Sequence, residues 1–336
     1  MTLPIFRPAT EDDLQALTRF AQEAAYGITS LPRDNDALAF KIQRSGDSFQ
    51  ENPKADQLQV YLFCLEWEGR VVGTSGITAR IGMEDPFYAY HLLYEQLRYP
   101  KLGIDRKTGV LHFTRAHKMP AEIGTLFLSK ELRLKDIGKF LSLSRFLFIA
   151  SFRQRFADTI IAELRGINQK GISPFWDAVG RPFYGIDFPE ADLLRTQHGA
   201  AIEALFPKHP LYLDLLPQDA RSVVGSPHEE TRGALKILEK QGFQKSAYVD
   251  IFDAGPHLFS PTDAIHAVAA STVATVHELR SPFTAANKAI VSNARIHFRA
   301  TLASILIEEQ GVVLHPDVAR TLQVELGDSV RYYLLP

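Results

Sequence analysis

The sequence predicts an α+β protein: a mixed sheet with helices on its faces, followed by a small β-rich region. Three observations carry that prediction. Strand-like and helix-like stretches alternate between residues 123 and 188, the pattern of a layered sheet. Residues 136–156 are apolar nearly all round, as a helix buried on more than one side must be. From about Ser260 the texture changes to short alternating segments set off by turns, which reads as a compact β unit. At roughly 150 residues per domain, 336 residues suggest two domains. Their expected bounds are 1–258 and 259–336.

Taken in order, Ile5–Arg7 is a short strand, and Thr10 caps a helix whose first turn, Glu11-Asp12-Asp13, suits the positive end of a helix dipole. Gly27–Asp36 reads as loop, and a second helix follows around Ala37–Arg44. Gln59–Trp67 and Val71–Ile81 form a hairpin about Glu68-Gly69. Residues 83–120, aromatic and basic with weak periodicity, have the character of an insertion. Ile123–Leu128 and Thr159–Leu164 are strands flanking the long helix. Ser173 caps a short helix that Gly180 ends, with Phe175 and Trp176 assigned to the core, and Phe183–Phe188 returns as strand. In SPHEETRGALKILEKQGF (Ser226–Phe243), Ser226 and Glu229 fit a capping box and Gly242 a helix stop, which places His228 on the first turn. Tyr248–Phe252 is a strand, and the last region offers Ala289–Ser292, Ile296–Leu302, Val312–Leu314 and Ser329–Leu334.

Composition narrows the function. A net charge of −2 leaves no dense basic face for a nucleic acid. One cysteine excludes a disulfide framework and a thiolate metal cluster. The start, MTLPIFRPATEDDL, lacks a basic region followed by an apolar one, and the greasiest run, around Phe146–Ile149, is interrupted by Ser144, Arg145, Ser151 and Arg153. A cytoplasmic enzyme is therefore expected. Zinc-protease, Walker and Gly-x-Ser-x-Gly motifs are absent, so neither a metal nor a permanently bound cofactor is expected.

The chemistry-bearing stretch is TLFLSKELRLKDIGK (Thr125–Lys139), a strand running into a basic loop and the start of the long helix. A helix N-terminus offers free N–H groups and a positive dipole end, and Arg133 and Lys139 add charge, so the turn suits a pyrophosphate. Arg133-Leu-Lys-Asp-Ile-Gly138 resembles the acyl-CoA signature of GCN5-related N-acetyltransferases at its arginine and one glycine, with Asp136 where the first glycine is expected. Together with GITSLP (Gly27–Pro32), LSLSRFLFIASF (Leu141–Phe152), AELRG (Ala162–Gly166), SPFWDAVGR (Ser173–Arg181), PKHPLY (Pro207–Tyr212), PHEETRGALKILEKQGF and YVDIFDAGP (Tyr248–Pro256), the chain resembles the arginine N-succinyltransferase family. It departs from that family at Arg115–Met119, where an Asn/His-Asp-x-Thr-Gly turn is usual.

The resemblance implies a GNAT-like acyl-CoA N-acyltransferase core and a small C-terminal β-barrel-like domain. It implies transfer of succinyl from succinyl-CoA to the α-amine of L-arginine, the opening step of the succinyl route of arginine catabolism. An ornithine or mixed arginine/ornithine succinyltransferase subunit, a non-catalytic acyl-CoA-binding subunit, and a homo- or hetero-oligomer with a similar subunit stay open as alternatives. By position it makes His228 the proton carrier and puts the succinyl-CoA contact at Leu126. A strand there, with Phe127 beside it, would hydrogen-bond the pantetheine arm and aim an N–H at the oxyanion. A guanidinium calls for a carboxylate, with Glu163, Asp250 and Asp253 as candidates. The succinyl carboxylate calls for a cation or hydroxyl, with Arg165, Arg145, Thr29 and Ser30 as candidates.

Overall fold

The fold is that of a computed structural model, which describes residues 3–335 apart from 25–27, 29, 55, 117–118, 134–135, 198–201, 203 and 282–285, and only the backbone of 194–197. The strands in chain order are β1 (Ile5–Pro8), β2 (Val60–Trp67), β3 (Arg70–Thr78), β4 (Tyr88–Tyr99), β5 (Ile104–Arg115), β6 (Ala121–Leu128), β7 (Thr159–Glu163) and β8 (Leu211–Tyr212). They continue as β9 (Gln244–Val249), β10 (Pro256–Pro261), β11 (Thr272–Leu279), β12 (Asn287–Asn293), β13 (Ala300–Glu308), β14 (Gly311–Leu314) and β15 (Ser329–Leu334). The first three helices are α1 (Leu14–Glu23), α2 (Asn35–Ser48) and α3 (Ile137–Ser151). Two compact units result, one from residues 1–80, 121–158 and 261–336, the other from 81–120 and 159–260. Each draws on separate segments of the chain, unlike the contiguous division at 258/259 read from sequence texture.

In the first unit the strand order is β12-β15-β11-β14-β13-β1-β2-β3-β6. Because β12 also pairs with β13, five strands close on themselves, giving the barrel expected for the C-terminal region. Closure removes the exposed edge that a small sheet would otherwise carry. The β2–β3 hairpin turns as expected at Glu68 and Gly69, both at positive φ. Thr10 donates its N–H and Oγ1 to Asp13, which also takes both arms of Arg7. Helix α3 is buried on nearly every side. Its Phe148 packs with Phe49, Tyr61, Phe63, Phe156 and Phe298, ring centroids 4.9–5.9 Å apart. The N-terminal strand is stitched to the barrel: Phe6 sits opposite Ala300, and Thr301 Oγ1 donates to the Pro4 carbonyl at 2.6 Å.

The second unit has the order β7-β10-β9-β4-β5-β8. Within the stretch 83–120, residues 88–115 are a long hairpin, β4 and β5 paired from Tyr88↔Arg115 to Tyr99↔Ile104, with Gly103 at φ 66° in its turn. Phe175 and Trp176 are fully buried, as expected.

Several expectations are corrected. Phe183–Phe188 is not a strand: Gly180 stays in the right-handed helical region (φ −90°, ψ −50°), so a second helical turn, Arg181–Tyr184, follows and Gly185 ends it at φ 68°. The helix Phe188–Gln197 comes next. The strand expected over Tyr248–Phe252 ends at Val249, because Asp250 Oδ1 accepts the N–H groups of Phe252 and Asp253 and bends the chain. The strand expected from Ile296 starts at Ala300, because Asn293 holds the His297 carbonyl and the Arg299 N–H in a loop. Ser226 does not cap the late helix. His228 does, at the head of a 3-10 turn (Glu229–Thr231) that leads into the helix Arg232–Lys240.

Candidate functional site

The two units each hold part of the predicted residue set. In the first, β6 carries a bulge. Gly124 pairs with Gly76 and Phe127 with Thr74, so Thr125 and Leu126 together face Ser75. Thr125 pays for the extra residue with φ 54°, a conformation that costs a β-branched residue about 1–2 kcal/mol. Leu126, half-buried, stands where the ladder is interrupted, whereas Phe127 stacks on Phe20 at 4.7 Å and belongs to the core. The bulge is braced by polar groups: Thr125 Oγ1 donates to Ser30 Oγ at 2.9 Å, and Lys41 Nζ donates to the Ser30 carbonyl. Burial lowers the Lys41 pKa to about 8, against the pull of Glu122. Arg145, fully buried, reaches the Gly124 carbonyl and Ser142 with no carboxylate partner among the described residues, and burial lowers its pKa to about 9. Thr29 lies outside the described residues.

At the head of α3, Asp136 provides no side-chain cap. Its carboxylate turns away to Lys288, at 2.7 Å, and this bond holds its pKa low. Arg133 folds back so that Nε donates to the Leu128 carbonyl at 3.1 Å. Gly138 and Lys139 lie on the first turn of α3, where backbone N–H groups lack helical partners. A phosphate could sit there with Asp136 already neutralised.

The second unit holds His228 and the acids. Strand β7 ends at Glu163, and the next residues are pinned to the late helix: His228 N donates to the Arg165 carbonyl at 2.8 Å, and Gly166 bridges Pro227. Asp253 secures this corner with one carboxylate oxygen on Gly166 N and the other on Gly255 N, both 2.8 Å. The fit is tight, since a Cβ on Gly166 would lie 2.2 Å from the Asp253 carbonyl oxygen. Asp250 and Asp253 thus both build backbone turns. Glu163 instead faces the buried His257, Oε1 to Nε2 3.3 Å. Among the described residues of this unit, Glu163, Asp250 and His257 are the group whose ligand atoms, within 4.8 Å of one another, could hold a metal ion.

His228 finishes the helix, and both of its ring nitrogens have close polar neighbours. Its Nδ1 accepts the Glu230 N–H at 3.2 Å, which leaves the proton of the neutral ring on Nε2. Nε2 lies 3.3 Å from Arg165 Nη2. Burial first, then the Arg165 charge, lower the ring's pKa below its usual value. An imidazolium would also set a second donor against the Glu230 N–H, so three features favour the neutral ring. Arg165 is itself held by Asn168 Oδ1 at 3.1 Å and by Glu230 at 3.5 Å. Sequence reasoning missed Lys41 and Asn168. Neither belongs to a motif; for Asn168 the available signal was its place in the loop directly after Arg165.

The comparisons with known proteins agree in direction. Residues 4–267 match a family described as arginine N-succinyltransferase beta subunit, and residues 274–333 match its C-terminal domain. An arginine N-succinyltransferase of Yersinia pseudotuberculosis serotype O:3 is 38% identical over 97% of this chain and 96% of its own. One from Escherichia coli strain 55989 is 35% identical over the same shares. A solved structure, the arginine/ornithine succinyltransferase subunit AI of Pseudomonas aeruginosa, superposes with a TM-score of 0.89 at 30% identity, covering 99% of each chain.

Proposed function

The chain belongs to the arginine N-succinyltransferase family, and from that premise we propose how its residues act. The enzyme transfers a succinyl group to the α-amine of L-arginine, giving N2-succinylarginine. Succinyl-CoA is the donor, in a GNAT-like arrangement, and no permanent cofactor takes part. The amine nitrogen adds to the thioester carbon, the C–S bond breaks, and one proton moves from nitrogen to sulfur.

The observation that carries the proposal is the neutral, held ring of His228. A ring with a lowered pKa is a weak base towards free ammonium. It still accepts a proton from the nitrogen of the tetrahedral adduct, which is far more acidic, and the imidazolium so formed is a strong acid towards the leaving thiolate. The opened ladder at Leu126 supports a backbone role: its N–H meets the oxyanion and the strand carries the pantetheine, beside Phe127. Arg133, Gly138 and Lys139 serve the pyrophosphate. Ser30, Thr29 and the nearby Lys41 read the succinyl carboxylate. Of the acids, Glu163 takes the guanidinium, since Asp250 and Asp253 spend oxygens on backbone amides. We place the enzyme in the cytoplasm and expect it to assemble with a second copy or a similar subunit, as the word subunit in the Pseudomonas relative's name suggests.

The test is thiol release on mixing succinyl-CoA with arginine, alongside direct titration of CoA. His228→Ala should lower kcat about 10²–10⁴-fold and leave the CoA dissociation constant within a factor of two or so. A kcat within a few-fold of the parent removes His228 from the mechanism. Binding of succinyl-CoA without thiol release would mark a non-catalytic subunit, and a higher kcat/KM on ornithine would reassign the amine.

A further inference from the structure

Beside His228 the protein buries two hydrogen-bond donors with no acceptor among the described residues. Arg165 Nε and Asn168 Nδ2 are inaccessible to solvent and have no hydrogen-bond partner among the described residues. Their neighbouring atoms are engaged: Arg165 Nη2 donates to Asn168 Oδ1 at 3.1 Å, which also fixes the orientation of the Asn168 amide, and Arg165 Nη1 lies 3.5 Å from Glu230. Asn168 is 2% exposed. A buried donor left unpaired costs about 1–3 kcal/mol, and native chains rarely keep two such groups side by side unless an acceptor arrives.

Three facts define that acceptor. The donors are an amide and a guanidinium, so it is an oxygen group and an anionic one is favoured. The guanidinium is 3.3 Å from Nε2 of His228, so an anion on it lies within a few ångströms of the ring. Burial leaves the Arg165 charge poorly hydrated, and the acids that offset this are Glu230, Asp253 and Asp192, so an acceptor that reaches Nε meets a desolvated cation. In an α-amino acid a single carbon separates the carboxylate from the amine, so a carboxylate seated here delivers its own α-nitrogen to the ring. The carboxylate of a succinyl group is separated from its reacting carbon by two methylenes and has its own candidate donors at the β6 bulge.

We infer that Arg165 and Asn168 form the seat for the α-carboxylate of the amino-acid substrate, which fixes the α-amine against His228. The assignment rests on the reading of His228 given above. It makes the enzyme selective for free α-amino acids and poor on amines that lack the carboxylate.

The test compares L-arginine with L-argininamide, which keeps the amine and guanidinium and removes the anion. Asn168→Asp is the informative variant, because it keeps the oxygen that holds Arg165 and replaces the unpaired donor with a repelling oxygen. The parent should prefer arginine over argininamide in kcat/KM by about tenfold or more. In Asn168→Asp that preference should shrink at least about tenfold, chiefly through KM, while the preference for succinyl-CoA over butyryl-CoA stays as in the parent. Thermal shift supplies a readout independent of turnover: arginine should raise the parent's Tm more than argininamide does, and the difference should vanish in Asn168→Asp and in Asn168→Leu. An unchanged arginine-to-argininamide ratio means that the donors serve a buried water only and overturns the inference. A loss that follows succinyl-CoA against butyryl-CoA assigns the seat to the acyl carboxylate and overturns it as well. If the parent discriminates between the two amines in binding but His228→Ala does not impair turnover, the role of His228 fails while the carboxylate seat stands.

Discussion

The histidine at the head of the late helix caps it, and the proposed mechanism gives the same ring a chemical role. Its Nδ1 closes a helix end, and that bond, burial and Arg165 all favour the unprotonated ring. The sign for activity follows. Since the imidazolium is disfavoured, the neutral form persists to lower pH than for a free histidine, so kcat/KM should hold through pH 6.5 and fall only below it. Arg165→Gln removes a nearby positive charge, stabilises the imidazolium and should move that acid limb upward. A pH profile settles this, and a limb that does not move between the two proteins shows that another group titrates. Asp136 offers a second residue-scale prediction. Its carboxylate is neutralised by Lys288, so Asp136→Asn frees that ammonium beside the first turn of α3. CoA should then bind more tightly at low ionic strength, by about 0.3–1 kcal/mol, and calorimetry at two salt concentrations would show whether the gain is electrostatic.

Among the elements, the close crossing at Gly166 and Gly255 matters most to the site. A Cβ on Gly255 would lie 2.1 Å from the Leu164 carbonyl oxygen, so backbone must move to admit it. Gly166→Ala should cost about 1–3 kcal/mol and displace Arg165 from His228; urea unfolding and activity should fall together. In the other unit, Phe148→Ala empties a volume walled by aromatic rings and should cost about 3–5 kcal/mol by the same measurement. Much at this scale was legible in the sequence. The β2–β3 hairpin declared itself through Glu68-Gly69, α3 through its unbroken apolar run, and the Ser173 cap through its Trp176 N–H partner. What misled were glycines and carboxylates whose effect depends on their neighbours. Gly180 looks like a helix stop yet lets the next turn follow, and Asp250 ends a strand that its sequence continues. The β4–β5 hairpin was hidden because its outer half is solvent-exposed and carries no apolar alternation. For the candidate site, type and position made His228, Leu126 and Arg133 candidates in the sequence, but the unsatisfied amide of Asn168 becomes visible only once its surroundings are folded.

At the scale of the molecule, the barrel cannot be treated as an appendage. Its strand β13 borders β1, and Phe298 packs on Phe6 and Phe63, ring centroids 6.2 Å apart in each case. A chain ending after residue 270 would bare the edge of β1 and one wall of the aromatic core. It should be recovered in inclusion bodies, and adding residues 271–336 as a separate polypeptide should restore solubility only if the two are expressed together. A truncated chain that stays monomeric with a sharp thermal transition would show that the barrel is dispensable.

The bond from Thr301 to Pro4 joins residues 297 positions apart. During synthesis the first strand therefore leaves the ribosome roughly 15–60 s before its neighbour exists, at about 5–20 residues per second. For that interval the strand has no mate on one side, and Phe6 lacks part of its packing. The slow step in making this enzyme should be the arrival of the tail, and chaperone dependence in the cell should track translation speed over the last third of the message.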